Sequence, residues 1–154
     1  MRPVRSSAKA IILHEGKLLA LKFHDENGDW YELPGGGQEP GETLPEAVRR
    51  ECLEEASAEV VVGDLWFVRD YIGKNHEFAD QGTSATFHQV EFMFACTLAD
   101  PTQVGNGLVP DTCQISVEWL ALEMLDRYRL YPLALRPLIA RHQPGMPVYL
   151  GDAN

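Results

Sequence analysis

The chain has 154 residues, 45% of them hydrophobic, which suits a single globular domain with a sizeable core. Its formal net charge of −10 excludes an extended nucleic-acid polymer as partner, since such binding rests on Lys and Arg neutralising phosphates. No apolar run is long enough to cross a membrane, so no membrane partner is expected. The N-terminal "MRPVRSSAKAIILHEGK" breaks its apolar run at His14 and Glu15, unlike a signal peptide, and the expectation is a cytoplasmic protein. Cys52, Cys96 and Cys113 are odd in number and widely spaced, and they read as buried free thiols rather than a disulfide scaffold or zinc site.

Two apolar runs, residues 8–13 and 18–23, flank the turn-forming stretch 14–17 and predict a β-hairpin. A polar loop leads to a short extended segment at 30–33, stopped by Pro34 and by Gly35, Gly36 and Gly37. From Thr43 the apolar period becomes helical, and Thr43-Leu44-Pro45-Glu46 matches a capping box with proline in the first turn, so a helix is predicted over residues 43–56. Beyond it, "AEVVV", "DLWFVRDYI" and "HQVEFMFACTL" read as strands, the last apolar on both faces and therefore central. The long polar connections "GKNHEFADQGTSATF" and "ADPTQVGNGLVPDTC" are candidate substrate loops. "ISVEWLAL" reads as a strand, "EMLDRY" as a helical turn and "PLALRPLIARH" as a closing helix weakened by Pro137. One domain over residues 1–143 and a loosely held tail over 144–154 complete the expectation. Both helices have one apolar side, which predicts an α/β sandwich with a mixed sheet between them.

On the predicted helix Glu51, Glu54 and Glu55 share a side at spacings i, i+3 and i+4, and Leu44, Ala47 and Val48 fall on that same side. A merely solvated face should lie opposite the apolar stripe, whereas these acids continue it. Glu51 and Glu55 also repel each other at i and i+4. A cation should compensate them, and oxygen-only ligands on a rigid element suit Mg²⁺ or Mn²⁺ bridging to substrate phosphates. The three glycines let the backbone approach closely and aim a carbonyl at such an ion.

The pattern of Gly36, five residues, Glu42, seven residues, Arg50-Glu51-Cys52, one residue, Glu54-Glu55 resembles the Nudix box of the Nudix hydrolase superfamily, with Trp30-Tyr31-Glu32-Leu33-Pro34-Gly35 as its usual approach. The resemblance implies a Nudix-like α/β/α sandwich and a divalent-metal-dependent hydrolase of a pyrophosphate bond in a nucleoside diphosphate linked to another moiety, attacked by an activated water. A small-molecule nucleotide substrate follows, with a non-catalytic nucleotide sensor as the alternative. At the end of the box, residues 36–58, Ser57 and Ala58 replace the family's usual glycine and larger aliphatic residue. This departure bears on helix-end geometry, because the left-handed conformation there disfavours other L-residues.

By the resemblance, Glu51, Glu54 and Glu55 hold the metal with the Gly36 carbonyl, and Arg50 orients the acids. From spacing alone Arg50 could instead pair with Glu46. Glu42 is divided between ligation and loop ordering. Glu51 is the first candidate base and Glu77 the second. Arg69 and Lys74 are candidate phosphate contacts. His76, Phe78, Phe87 and His88 are candidates for holding a base or ribose. Glu91, an acid in an apolar strand, needs a partner or an ion. Trp66, Phe67 and Tyr71 crowd one strand with aromatic surface and raise the expectation of a homodimer.

Overall fold

A computed structural model describes residues 2–77 and 84–154. Phe78, one of the candidate base contacts, lies outside the described residues. Strand β1 (Arg5–His14) turns through Glu15 and Gly16, both at positive φ, into β2 (Lys17–Asp25). Positive φ at both central residues matches the right-handed twist of a two-residue hairpin. The predicted hairpin is therefore present, but only its mouth pairs directly: Leu13 opposes Leu18 and His14 opposes Lys17. Beyond that point β2 splays away to pair with β3 (Gly28–Glu32) and β7 (Ser116–Ala121). The vacated edge of β1 is taken by β4 (Gly35–Gly37), whose Gly37, Gly36 and Gly35 oppose Ser7, Ala8 and Lys9.

Helix α1 (Leu44–Ala56) starts at the predicted capping box: Thr43 caps the Glu46 amide and the Glu46 carboxylate accepts from the Thr43 amide at 2.7 Å. The chain continues through β5 (Val60–Ile72), β6 (His88–Leu98), β7, a 3-10 turn at Leu122–Arg127, β8 (Leu130–Tyr131), α2 (Leu135–Ala140) and β9 (Tyr149–Asp152). Among the described residues nine strands form one curled sheet in the order β8-β3-β2-β1-β6-β5-β9, with β4 on β1 and β7 on β2. The pairs β1–β6, β3–β8 and β5–β9 are parallel and the others antiparallel, so the sheet is mixed as expected.

Alternation along the strands puts a core on each face. On one side Ala8, Ala10, Ile12, Leu19 and Leu21 pack against Ala47, Val48, Cys52 and Ala56 of α1. On the other, Ile11, Leu18, Phe67 and Met93 pack against Leu125 of the 3-10 turn and Leu135 and Ile139 of α2. The sandwich is that predicted, although α2 is only six residues long. Pro137 falls in its first turn, where a missing N–H breaks no helical bond. No helix among the described residues is long and apolar enough to cross a membrane.

Two expectations, the loose tail and the burial of all three thiols, are corrected, and the aromatic side chains of β5 have uses within the chain. The segment after residue 143 is not a loose tail, because β9 extends the sheet along β5 and Asp152 binds the Ile72 amide, Asn75 and His76. The aromatic surplus on β5 is used within the chain: Phe67 is fully buried, Trp66 stacks on His142 at 3.6 Å between ring centres, and Tyr71 lines the cavity described below. Cys52 and Cys96 are buried free thiols, with burial pushing Cys96 up to about 12, but Cys113 is exposed.

Ser57 does adopt the left-handed conformation, at φ 49°. The helix end is nonetheless satisfied. Ala58 N–H donates to the Cys52 carbonyl, and the loop before β7 donates Gly105, Gly107 and Val109 amides to the carbonyls of Ala56, Glu55 and Glu54. Gln114 adds a side-chain bond to the Glu55 carbonyl at 2.9 Å. With the caps supplied by the loop, Ser57→Gly should leave the cap bonds intact. It relieves a cost of about 1–2 kcal/mol against roughly 0.5–1 kcal/mol of extra unfolded-chain entropy. The expected result is a gain of about 0.5 kcal/mol, seen as a higher denaturant midpoint at unchanged slope.

Candidate active site

Alternate residues of three neighbouring strands project from the sheet face opposite α1. They are Arg5, Ser7 and Lys9 on β1, Gln89 and Glu91 on β6, and Arg69 and Tyr71 on β5, and they pair across the strands as Arg5 with Gln89, Ser7 with Glu91, Arg69 with Glu91 and Tyr71 with Gln89. Further along these strands the same face carries Ile11, Phe67 and Met93, so the apolar core passes directly into a polar floor. Above this floor lies a cavity of about 750 Å³, walled by Asp25, Trp30 and Glu32 from β2 and β3, by Arg129, Tyr131 and Pro132 around β8, and by Asp111 and Cys113 from the loop before β7.

The acids of α1 start on the other face of the sheet, and β4 explains how they join this cavity. A Cβ on Gly36 would sit 2.6 Å from Glu51 Oε1, so only glycine lets that carboxylate lie against the strand. Gly35, at φ 143°, donates its amide to Glu55 Oε1 at 2.8 Å. Because β4 has no side chains, one cavity takes in the sheet face and both Glu51 and Glu55. Glu55 is only 3% exposed although it is an acid. Burial first of all, with help from Glu51 and Asp111, raises its pKa to about 8 against the opposing pull of Lys9 and the Gly35 amide. A buried carboxylate with more negative than positive surroundings is a place for a cation.

Arg50 gathers the remaining groups. Its guanidinium donates to Glu42 at 2.7 and 3.1 Å, to Glu51 at 3.0 Å, to Glu54 at 3.4 Å and to the Gly37 carbonyl at 3.1 Å. These are the contacts that an orienting part requires. Pairing with Glu46 does not occur, because that side chain is spent on the capping box. Glu42 orders the loop, its Oε1 also accepting from the Glu39 amide at 2.8 Å. Glu54 stands half-buried beside the cavity rather than lining it.

The residues expected to bind substrate are divided. Arg69 and Phe87 line the cavity. Arg69 is 6% exposed and donates to both oxygens of Glu91, at 3.1 and 3.4 Å, and to the Ala153 carbonyl. Glu91 thus has its partner, and a further bond from Gln89 at 2.8 Å. Lys74 is exposed and does not line the cavity. His88 binds Asp70 at 2.7 Å, and His76 binds Asp152 at 2.6 Å while stacking on Tyr71, so both histidines pin strands instead. Glu77 is exposed and reaches Tyr131. Among the described residues no cluster of three His, Cys, Asp or Glu side chains is already gathered in metal-holding geometry.

Sequence reasoning missed Arg5, Ser7, Lys9, Trp30, Asp111, Arg129 and Tyr131. The first three carried a readable signal, polar residues at period two in a strand whose other face is apolar. The rest depend on contacts between distant segments, such as Arg129 with Asp25 at 2.9 and 3.0 Å, which holds the Asp25 carboxyl down to about 2.

A curled mixed sheet between two helical layers, with a glycine strand delivering helix carboxylates to a polar cavity, defines a hydrolase of the kind the box resembles. The NUDIX domain model matches residues 3–141, and the chain belongs to the Nudix family. It is 32% identical over 134 residues to the nucleoside triphosphatase NudI of Salmonella agona (strain SL483), covering 84% of this chain and 94% of that protein. A NUDIX hydrolase from Nitrosomonas europaea superposes with a TM-score of 0.71 at 20% identity, over 99% of this chain and 79% of that one. An ADP-ribose pyrophosphatase from Streptococcus suis 89-1591 superposes at 0.61 with 19% identity, over 97% of this chain and all (100%) of that one. The chain is accordingly a pyrophosphohydrolase of the divalent-cation-dependent Nudix class.

The buried pair on the cavity floor generates a stability prediction. Burial alone would raise the Glu91 pKa, but Arg69 and Lys9 outweigh it and the net shift is downward. A folded-state pKa below the unfolded one means the stabilisation is whole above roughly pH 4.3, the unfolded glutamate value, and is lost as the pH falls through the folded value. Glu91→Gln, which leaves the Arg69 charge buried without its partner, should cost about 3 kcal/mol at pH 7. Urea unfolding of both proteins should show that gap narrowing as the pH falls below about 4.3.

Proposed function

We propose that the chain hydrolyses a pyrophosphate bond of a nucleotide, a nucleoside triphosphate being the favoured substrate, with Mg²⁺ or alternatively Mn²⁺ held by Glu51, Glu54, Glu55 and the Gly36 carbonyl. The observation that carries this reading is the meeting of Glu51 and Glu55 with the bare strand β4 inside one cavity. The donors fit such a group: all are hard oxygens, and Glu55 is buried among other acids. The Gly36 carbonyl accepts from Ser7 Oγ at 3.0 Å and keeps a second lone pair. Among the described residues Glu54 is tied only by its 3.4 Å contact to Arg50, which leaves its carboxylate free to turn toward a bound cation. When bound, the cation supplies Lewis acidity and a water of lowered pKa.

The chain's own groups do the rest. Glu51, held by Arg50 against Gly36, takes the proton of the attacking water in this reading, supported by its place beside the bare strand. Glu77, the second candidate, lies away from the acids at the Tyr131 rim. Arg50 fixes both Glu51 and the β4 backbone, so the base keeps its place when the charge around it changes. Trp30, Phe87 and Tyr131 offer aromatic surface for a nucleobase at the far wall, and Arg69 lines the floor beneath it. The resemblance to a nucleoside triphosphatase supports the substrate class. The buried free thiols of Cys52 and Cys96 support a reducing, cytoplasmic setting.

Glu51→Gln, Glu54→Gln and Glu55→Gln each keep size and helix propensity. They should stay folded and lose turnover by about a hundredfold or more. Phosphate or pyrophosphate release is one readout, and melting with EDTA or Mg²⁺ is the other. Mg²⁺ should raise the wild-type melting temperature and leave the variants nearly unmoved. Wild-type turnover in all three variants would remove the metal-site assignment.

A further inference from the structure

Four cations line the cavity among the described residues: Arg5, Lys9, Arg69 and Arg129. Three are committed. Lys9 Nζ donates to the carbonyls of Leu33 and Gly35 at 3.5 and 3.3 Å. Burial alone would lower its pKa, but Glu32, Glu91 and Glu55 together raise it. Arg69 is bound to Glu91 and Arg129 to Asp25. The Arg5 side chain has no hydrogen-bond or ion-pair partner among the described residues. Its position is nevertheless defined, for the guanidinium lies against the Cα of Gly37, where a Cβ would come within 2.2 Å of Nη2 and 2.8 Å of Cζ. Any side chain at 37 would push it away.

Gly36 and Gly37 are neighbours, with Cα atoms about 3.8 Å apart. Glu51 rests on the first from the helix side, and Arg5 rests on the second from the sheet side. A polyphosphate crossing this bare strand therefore meets the acidic cation-binding end first and an uncommitted guanidinium about one phosphate further on. Guanidinium matches phosphate with two parallel N–H donors.

We propose that Arg5, seated over Gly37, forms a subsite for a third phosphate, which makes the enzyme prefer nucleoside triphosphates to diphosphates linked to a sugar. The proposal rests on the hydrolase reading above and names its substrate class. Arg5 is a binding and positioning residue. It lies at the exposed start of β1, so its replacement leaves the two cores untouched.

The test compares wild type, Arg5→Gln and Arg5→Lys on a set of nucleoside triphosphates and on UDP-glucose and ADP-ribose, with Mg²⁺. Loss of a charge-assisted bond is worth about tenfold or more in affinity. Arg5→Gln should raise KM for triphosphates by about that factor with kcat within about threefold, and Arg5→Lys should recover part of it. KM for the capped diphosphates should move by less than about threefold. Equal KM values for wild type and Arg5→Gln, or equal rises for both substrate classes, overturn the proposal. A second arm is independent of turnover: calorimetric titration of inorganic tripolyphosphate in Mg²⁺ should show about tenfold weaker binding by Arg5→Gln, and unchanged binding overturns the subsite. If wild type cleaves no compound in the set, the hydrolase reading of substrates fails, and the calorimetric arm still decides the subsite.

Discussion

The contact between the Glu51 carboxylate and the side-chain-free strand at Gly36 is the constraint on which the rest of the site depends. Helix α1 and the polar floor lie on opposite faces of the sheet, and an ordinary strand between them would wall one from the other. Three glycines on an edge vacated by β2 remove that wall. The departure of β2 after two pairs is thus part of the same device, since it makes room for β4 and opens the cavity between the halves of the curled sheet. A site so made is precise without a long loop, because its donors stand on a helix and a strand.

Charge compensation follows from that arrangement. An acid cluster next to a sheet floor must be balanced or it would destabilise the fold. Arg50 balances Glu42, Glu51 and Glu54 on the helix side, Arg69 balances Glu91 on the floor, and Lys9 lies between Glu32, Glu55 and Glu91. Glu55 is the acid left least compensated, and it donates no charge to any ion pair in the structure described. The loop before β7 contributes twice, capping the carbonyls at the end of α1 and bringing Asp111 to the cavity. Its capping bonds hold the helix end together although Ser57 keeps the strained left-handed conformation.

Much of this was legible in the sequence because it is local. The capping box, the switch to helical period and the clash between acids and apolar stripe are all contained in residues 43–56, and they led to the helix, the cation and the family together. What stayed hidden was long-range. Strand β9 is short and contains Gly151, and its pairing with β5 joins segments about eighty residues apart, so it read as a tail. His76 and His88 looked like ligand-binding groups in a loop, but their partners Asp152 and Asp70 are visible only in the folded chain. Arg5, Ser7 and Lys9 had the period-two signature of a two-faced strand and were overshadowed by the apolar residues between them.

The central claim is that a divalent cation binds where α1 meets β4. Amide NMR of the metal-free protein titrated with substoichiometric Mn²⁺ tests it most directly, because paramagnetic broadening falls off steeply with distance from the ion. The account predicts that the amides of Gly35, Gly36, Gly37, Glu51 and Glu55 broaden first and that excess Mg²⁺ restores them. Broadening centred instead on the amides of Asp70 and Asp152 at the β9 edge, with the glycine amides unaffected, would contradict it.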